Sequence, residues 1–297
     1  VRVTLLIDNE RSAPGLCTQW GFSAWIEAGG ARVLLDSGGN DAFWRNARAL
    51  GVPLESADAF VLSHGHFDHG GGLWRVVQAA PGARLVLHPG GLAPHFLLRK
   101  TGKVDPVGLP ERSLVALHSA ARRITWALGP VEAAPGVWAS GPIPRHHALE
   151  EVERNFFLDR ACTVRDQVVD DQAVWVPSSV GLIVVVGCAH AGMVNTLEYV
   201  RGAAAQASQT AATVRLPLAP DGLPQVAAVV GGMHLLQASS ARLHATAEAL
   251  AAAGTRLVVP VHCSGKRAKA YLHDRFGEAF VAAGAGSVLL VGGQTAS

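Results

Sequence analysis

A chain of 297 residues with 49% hydrophobic and 16% charged residues has enough apolar content to bury a large core, which excludes a disordered polypeptide. Its formal net charge is +2, and Lys266-Arg267-Ala268-Lys269 is its one tight basic cluster, which argues against nucleic acid as a partner. No apolar run reaches membrane-spanning length, and Cys17, Cys162, Cys188 and Cys263 show no CxxC spacing, so a soluble cytoplasmic protein with free thiols and no membrane partner is expected.

Residues 1–7, 22–27 and 32–35 read as strands, with Gly29-Gly30 as a hairpin turn and Asp36-Ser37-Gly38-Gly39 closing the third. A helix is predicted over 41–50, a buried strand over 59–62, a helix over 73–80 and a strand over 84–87. From 89 to about 150 the pattern loosens into an irregular region rich in proline and glycine, with short strands near 124–128 and 137–140. Beyond it, strands over 173–176, 181–186, 225–230, 256–261 and 287–291 alternate with helices over 193–207, 240–253 and 266–275. That alternation predicts α/β layering, with residues 1–297 as one domain.

The strand at 59–62 delivers the most informative loop, Ser63-His64-Gly65-His66-Phe67-Asp68-His69-Gly70-Gly71-Gly72. Three imidazoles and a carboxylate within six residues are a metal-binding set, since neutral imidazole and carboxylate both ligate zinc, iron and manganese. On an extended backbone His64 and His66 point the same way, while Asp68 and His69 follow the turn and can address a second position. The three glycines admit close backbone approach ahead of the next helix. Further on, three apolar strands each end in a histidine beside glycine: His190, His234 and His262. Strand ends converge on one sheet edge, where open α/β folds build their sites.

With these residues the chain resembles the metallo-β-lactamase superfamily, whose defining motif is His64-x-His66-x-Asp68-His69. The segments Leu6-Ile7-Asp8-Asn9, Gly187-Cys188-Ala189-His190, Gly232-Met233-His234 and His262-Cys263-Ser264-Gly265 are similar to a branch often labelled 7,8-dihydropterin-6-methyl-4-(β-D-ribofuranosyl)aminobenzene 5′-phosphate synthase-like. The resemblance implies an α/β fold of the αββα sandwich type. It implies two divalent metal ions, zinc first, with iron or manganese as alternatives. His64, His66 and His190 would hold one; Asp68, His69 and His262 the other, with His234 at or near it. Asp36 would support a ligand imidazole, unless it is a helix cap or turn residue. Asp68 would also handle protons. Most members carry an acid where this chain has His234, so His234 either ligates terminally or contacts substrate.

The implied activity is hydrolysis of a small, possibly anionic ester, phosphoester or lactone-like substrate by a metal-activated water. The alternatives are a pterin-pathway, phosphate synthase-like enzyme and a metal-retaining binding protein. Arg145, with His146 and His147, is a candidate contact for a substrate phosphate or carboxylate. His88 and His95 are expected near the entrance. Cys188 and Cys263 are expected to pack as small hydrophobes, and Trp20, Phe22, Trp25 and Phe156-Phe157 to lie in the core.

Overall fold

The computed structural model describes residues 1–150, 154–210 and 215–292. Strands β1 (Arg2–Ile7), β2 (Ser23–Ala28) and β3 (Ala31–Leu35) form an antiparallel meander. Its tight turn at Gly29 and Gly30 has φ of 58° and 92°, a conformation that costs glycine little. Helix α1 (Ala42–Ala49) leads to β4 (Ala59–Val61), parallel to β3. The short α2 (Phe67–Gly70) and α3 (Leu73–Ala79) lead to β5 (Arg84–Leu87), parallel to β4. Strands β6 (Phe96–Leu98) and β7 (Val104–Pro106) pair with each other, α4 (Glu111–Ser119) follows, and β8 (Ile124–Trp126) joins β5 in parallel.

The second sheet begins with the hairpin β9 (Val131–Ala134) and β10 (Val137–Ala139). After β11 (Phe156–Phe157), which pairs with β6, the chain makes the hairpin β12 (Ala173–Ser178) and β13 (Gly181–Val186). Then α5 (Met193–Thr210), β14 (Val226–Gly232), α6 (Ser240–Ala252), β15 (Leu257–Val261) and α7 (Lys266–Phe276) alternate, and β16 (Val288–Leu290) returns to pair with β1. Strand order is β16-β1-β2-β3-β4-β5-β8 in one sheet, β15-β14-β13-β12-β10-β9 in the other, and β11-β6-β7 in a small third.

The period of two along each strand makes the four-layer sandwich. In β3, Ala31, Val33 and Leu35 face the core between the two large sheets, while Leu34 faces the helical side with Phe43 of α1 and Leu73 of α3. In β13, Ile183 and Val185 enter the same central core, and Leu182, Val184 and Val186 pack against α5 and α6 through Leu197, Val200, Leu243 and Leu250. The result is the αββα arrangement that the family resemblance implied.

The stretch read as irregular between 89 and 150 contributes α4 and strands to all three sheets, including β8 in the first and β9 and β10 in the second. Those strands are three or four residues long, too short to show a period in the sequence.

The parallel strands place the chemistry. Asp36 follows β3, Ser63 and His64 follow β4, and Cys188, His234 and His262 follow β13, β14 and β15. Asp36, Ala189, His234 and His262 all have left-handed φ, between 48° and 59°. Such backbone is unfavourable for residues with a Cβ and persists where surrounding contacts over-determine it.

Candidate metal centre

The loops that carry His64, His66, His190 and His262 are each fastened by a buried carboxylate. Asp36 Oδ1 accepts the Ser63 N–H at 2.7 Å, and Asp170 Oδ2 accepts the Gly65 N–H at 2.6 Å. Asp171 Oδ2 accepts the Ala191 N–H at 2.7 Å, and Asp8 Oδ1 accepts the His262 N–H at 2.7 Å. Charged acceptors make these hydrogen bonds short and strong, which fixes the loops before any ligand arrives.

Hydrogen bonds on the distal nitrogens set the tautomers. The Ser63 hydroxyl donates to Asp36 Oδ2 at 2.7 Å, so at 2.9 Å from His64 Nδ1 it accepts the ring proton. The lone pair of His64 therefore sits on Nε2, which lies 3.0 Å from His66 Nδ1. His69 Nδ1 donates to Asp36 Oδ2 at 2.7 Å, leaving its Nε2 lone pair to face inward. The Asn9 amide donates to the His262 carbonyl at 2.9 Å, so its Oδ1 accepts from His262 Nδ1 at 3.2 Å, and His262 Nε2 is again the acceptor. Asp36 thus holds His69 and the Ser63–His64 pair together; the residue that precedes α1 is Asp41.

Two groups of inward-facing atoms follow. Ligand atoms of His64, His66 and His190 lie within 4.8 Å of one another. Here His66 Nε2 and His190 Nε2 are buried without a hydrogen-bond partner. In the second group, Asp68 Oδ2 lies 3.4 Å from His262 Nε2 and 3.7 Å from His69 Nε2. A carboxylate oxygen and two imidazole lone pairs repel one another unless a cation lies among them. The donor set and its orphaned nitrogens therefore fit a metal ion, and His64, His69 and His262 are each backed by the hydrogen bond that metal-ligating histidines need.

Electrostatics agree. Burial disfavours charge on His69, yet the carboxylates of Asp68 and Asp36 outweigh it and push the ring up to about 9. Burial likewise opposes ionisation of Asp68, but His69 and His262 hold its carboxyl below the usual range. Burial dominates at His66, lowered to about 3, and at His64 and His190, both well below the usual imidazole value. Neutral imidazoles and an ionised carboxylate are the ligating forms, so His64, His66, His190 and Asp68 stand in them, whereas a metal would have to displace the proton that Asp68 and Asp36 favour on His69.

Of these residues His66, Asp68, His190 and His262 line a cavity of about 240 Å³, lined also by Trp20, Leu97, Arg99, Asn155, Phe156, His234 and Gln237. His234 projects from the end of β14 with its ring centroid 4.2 Å from that of His190. Arg145 does not line this cavity: its guanidinium donates to the Val168 carbonyl at 2.8 Å and lies near Asp171. Arg99 is the arginine at the cavity wall. Trp20 and Phe156, expected in the core, are cavity walls as well. The Trp20 ring is half exposed and 5.0 Å from His262, and Phe156 stacks on His66 at 5.0 Å.

His95 is buried below the entrance, its Nδ1 2.6 Å from Asp166 Oδ2 and its ring edge-on to His66 at 5.4 Å. His88 accepts from the Gly90 N–H at 3.1 Å. Gly70, Gly71 and Gly72 admit close packing, but against Leu109 and the backbone carbonyls of Gly39 and Asn40. Cys188 is no simple filler, with its Sγ 3.1 Å from His69 Nε2. The sequence gives little sign of the roles of Asp8, Asp166, Asp170 and Asp171; acids flanking strand ends were the available signal.

A family model described as the metallo-beta-lactamase superfamily matches residues 21–158. Over 261 residues the chain is 27% identical to 7,8-dihydropterin-6-methyl-4-(beta-D-ribofuranosyl)-aminobenzene-5'-phosphate synthase of Methanocaldococcus jannaschii, covering 82% of this chain and 79% of that protein. An uncharacterized protein of the same archaeon is 27% identical over 267 residues, 90% of this chain and 91% of its own. The crystal structure of a metal-dependent hydrolase of the beta-lactamase superfamily matches with a TM-score of 0.75 and 26% identity, over 98% of this chain and 99% of that one. Zn(2+)-bound PqqB from Methylobacterium extorquens shares the fold at a TM-score of 0.53 and 13% identity, over 98% and 100% of the two chains. With the motif in its strand-end loop and the sandwich around it, the chain has the metallo-beta-lactamase fold and is similar to that superfamily in sequence over residues 21–158.

Proposed function

We propose that this protein is a metal-dependent hydrolase that attacks a small ester, phosphoester or lactone-like substrate with water, using two divalent ions. The observation that carries this reading is the meeting of Asp68 Oδ2, His69 Nε2 and His262 Nε2 as mutual acceptors beside the His64, His66 and His190 group. These two sets would hold the ions, zinc first and iron or manganese as alternatives. Bound metal would supply an acidified water and polarise the bond under attack. Asp68, held ionised by its histidine neighbours, would take the water's proton on the carboxylate oxygen not facing the metal and return it to the leaving group. His234, beside His190 at the cavity wall, orients the substrate or ligates from the side. Trp20 and Phe156 wall off water, and Arg99 offers a cation to an anionic substrate.

The test is hydrolysis of an ester, phosphodiester and lactone panel by protein reconstituted with zinc, iron or manganese. Turnover on at least one class is expected, abolished by a chelator, restored by metal, and lowered at least about 100-fold by Asp68→Asn. Stoichiometric metal without turnover on any class would overturn the reading. The similarity to the archaeal synthase over 82% of this chain favours a second reading, an enzyme of a pterin pathway. Calorimetric binding of pterins or ribosyl phosphates would support it, and the absence of any heat with either would remove it.

A further inference from the structure

Two cysteines lie beside the metal-ligating set, and their surroundings differ. Cys263 Sγ accepts the His234 N–H at 3.3 Å and can donate to the Cys188 carbonyl at 3.7 Å, so the backbone satisfies it as a thiol. Cys188, placed just past the end of β13, has its Sγ 3.1 Å from His69 Nε2, the nitrogen whose lone pair faces inward. Its sulfur also belongs to three close groups of ligand atoms, each within 4.8 Å: with His64 and His69, with His262 and Cys263, and with His190 and His234. Cys188 therefore lies within 4.8 Å of members of both sets of candidate ligands.

The strand next to it lacks the acid that would join two ions. Strand β14 ends in glycine and is followed by Met233 and His234. The approach is close: a Cβ on Gly232 would meet the Gly187 carbonyl and lie 2.7 Å from Cys263 Sγ. A carboxylate side chain at 232 would not fit above β13, whereas a sulfur already projects from the end of β13 itself.

Resting on the two-ion reading above, we propose that Cys188 is itself a metal ligand, its thiolate lying between the two imidazole sets where a bridging carboxylate would otherwise act. Cys263 is its neighbour and remains a thiol. A sulfur donor shifts the preference of the centre toward zinc or iron and away from magnesium or manganese, because soft thiolate suits the former pair.

Cobalt(II) loading of the full chain tests this without reference to turnover. Visible ligand-field bands report that cobalt is bound, and a near-ultraviolet sulfur-to-cobalt charge-transfer band reports a thiolate. Wild type is expected to show both, Cys188→Ser the visible bands alone, and Cys263→Ser both. Visible bands without the charge-transfer band in wild type, or a charge-transfer band that survives Cys188→Ser, would overturn the assignment and leave the metal reading intact. No cobalt bands and no bound metal by elemental analysis would remove the metal reading and this inference with it. X-ray absorption on zinc-loaded wild type needs no variant: a Zn–S path at about 2.3 Å supports the assignment, and a shell of nitrogen and oxygen alone refutes it.

Discussion

Asp171 bears an unusual load for a single carboxylate. It is fully buried, one oxygen receives the Ala191 N–H, and the other has no hydrogen-bond partner. Burial pushes its pKa from 3.8 up to about 6, against the opposing pull of its backbone hydrogen bonds and of Arg145. The folded protein therefore keeps this proton to higher pH than the unfolded chain. Its contribution is most favourable below about 3.8 and is lost as pH rises through about 6. Asp171→Asn, which has no charge to desolvate, is expected to raise stability at pH 8 by on the order of 2–3 kcal/mol and to change it little at pH 3.5. Urea unfolding at the two pH values checks this; an equal effect at both would show that the charge is not responsible. At this scale the histidines were legible in the sequence because their spacing is local. The residues that hold them were not: Asp170 lies 105 positions from Gly65, and Asp8 lies 254 from His262. Cys188 and Phe156 likewise have no local pattern, and only strand register brings them to His69 and His66.

Strand β13 shows how little room the elements leave beneath the centre. Gly187, at its end, sits where a Cβ would collide with the Ser63 hydroxyl and come within 2.7 Å of Asp36 Oδ2. Those are the two groups that fix the His64 and His69 tautomers. Gly187→Ala is therefore expected to cost roughly 2–4 kcal/mol and to weaken metal retention. Gly82→Ala, with nothing within 4 Å of the added atom, should stay within about 0.5 kcal/mol of wild type. Denaturation midpoints and metal content of the two variants, measured side by side, decide it; equal effects would mean that the clash is relieved by a shift of β13. The apolar runs of β13, β14 and β15 were readable from sequence because parallel strands buried on both faces are continuously hydrophobic. Helix α4 was not, since Glu111, Arg112, Ser113 and His118 dilute its apolar positions. Strands β6, β7 and β11, of two or three residues each, are shorter than any periodic signal.

Across the whole molecule, the candidate ligands come from loops after β4 in one sheet and after β13, β14 and β15 in the other. An unfolded chain cannot bring residues 64 to 69 to residues 190, 234 and 262, so a metal held by them would bind the native state alone and stabilise it. Metal at about a thousand times its dissociation constant adds roughly 4 kcal/mol, or on the order of 10 °C in Tm. Calorimetry before and after exhaustive chelation should show that loss and its recovery on metal addition; an unchanged Tm would mean that these residues hold no ion in solution. The α/β layering was legible from the alternation of strands and helices; the sandwich followed only from the resemblance carried by the histidine motif, because alternation alone does not say how two sheets face each other.

The small sheet β11-β6-β7 belongs to neither of those layers, yet Leu97, Arg99, Asn155 and Phe156 on or beside it form one wall of the cavity. The metal ligands and the carboxylates that fasten them sit on the large sheets. On the proposed reading, what would perform the reaction and much of what would meet the reactant are thus carried by separable pieces of chain. Substitutions within residues 96–106 would then change which molecule the cavity admits while leaving the reactive centre as it is.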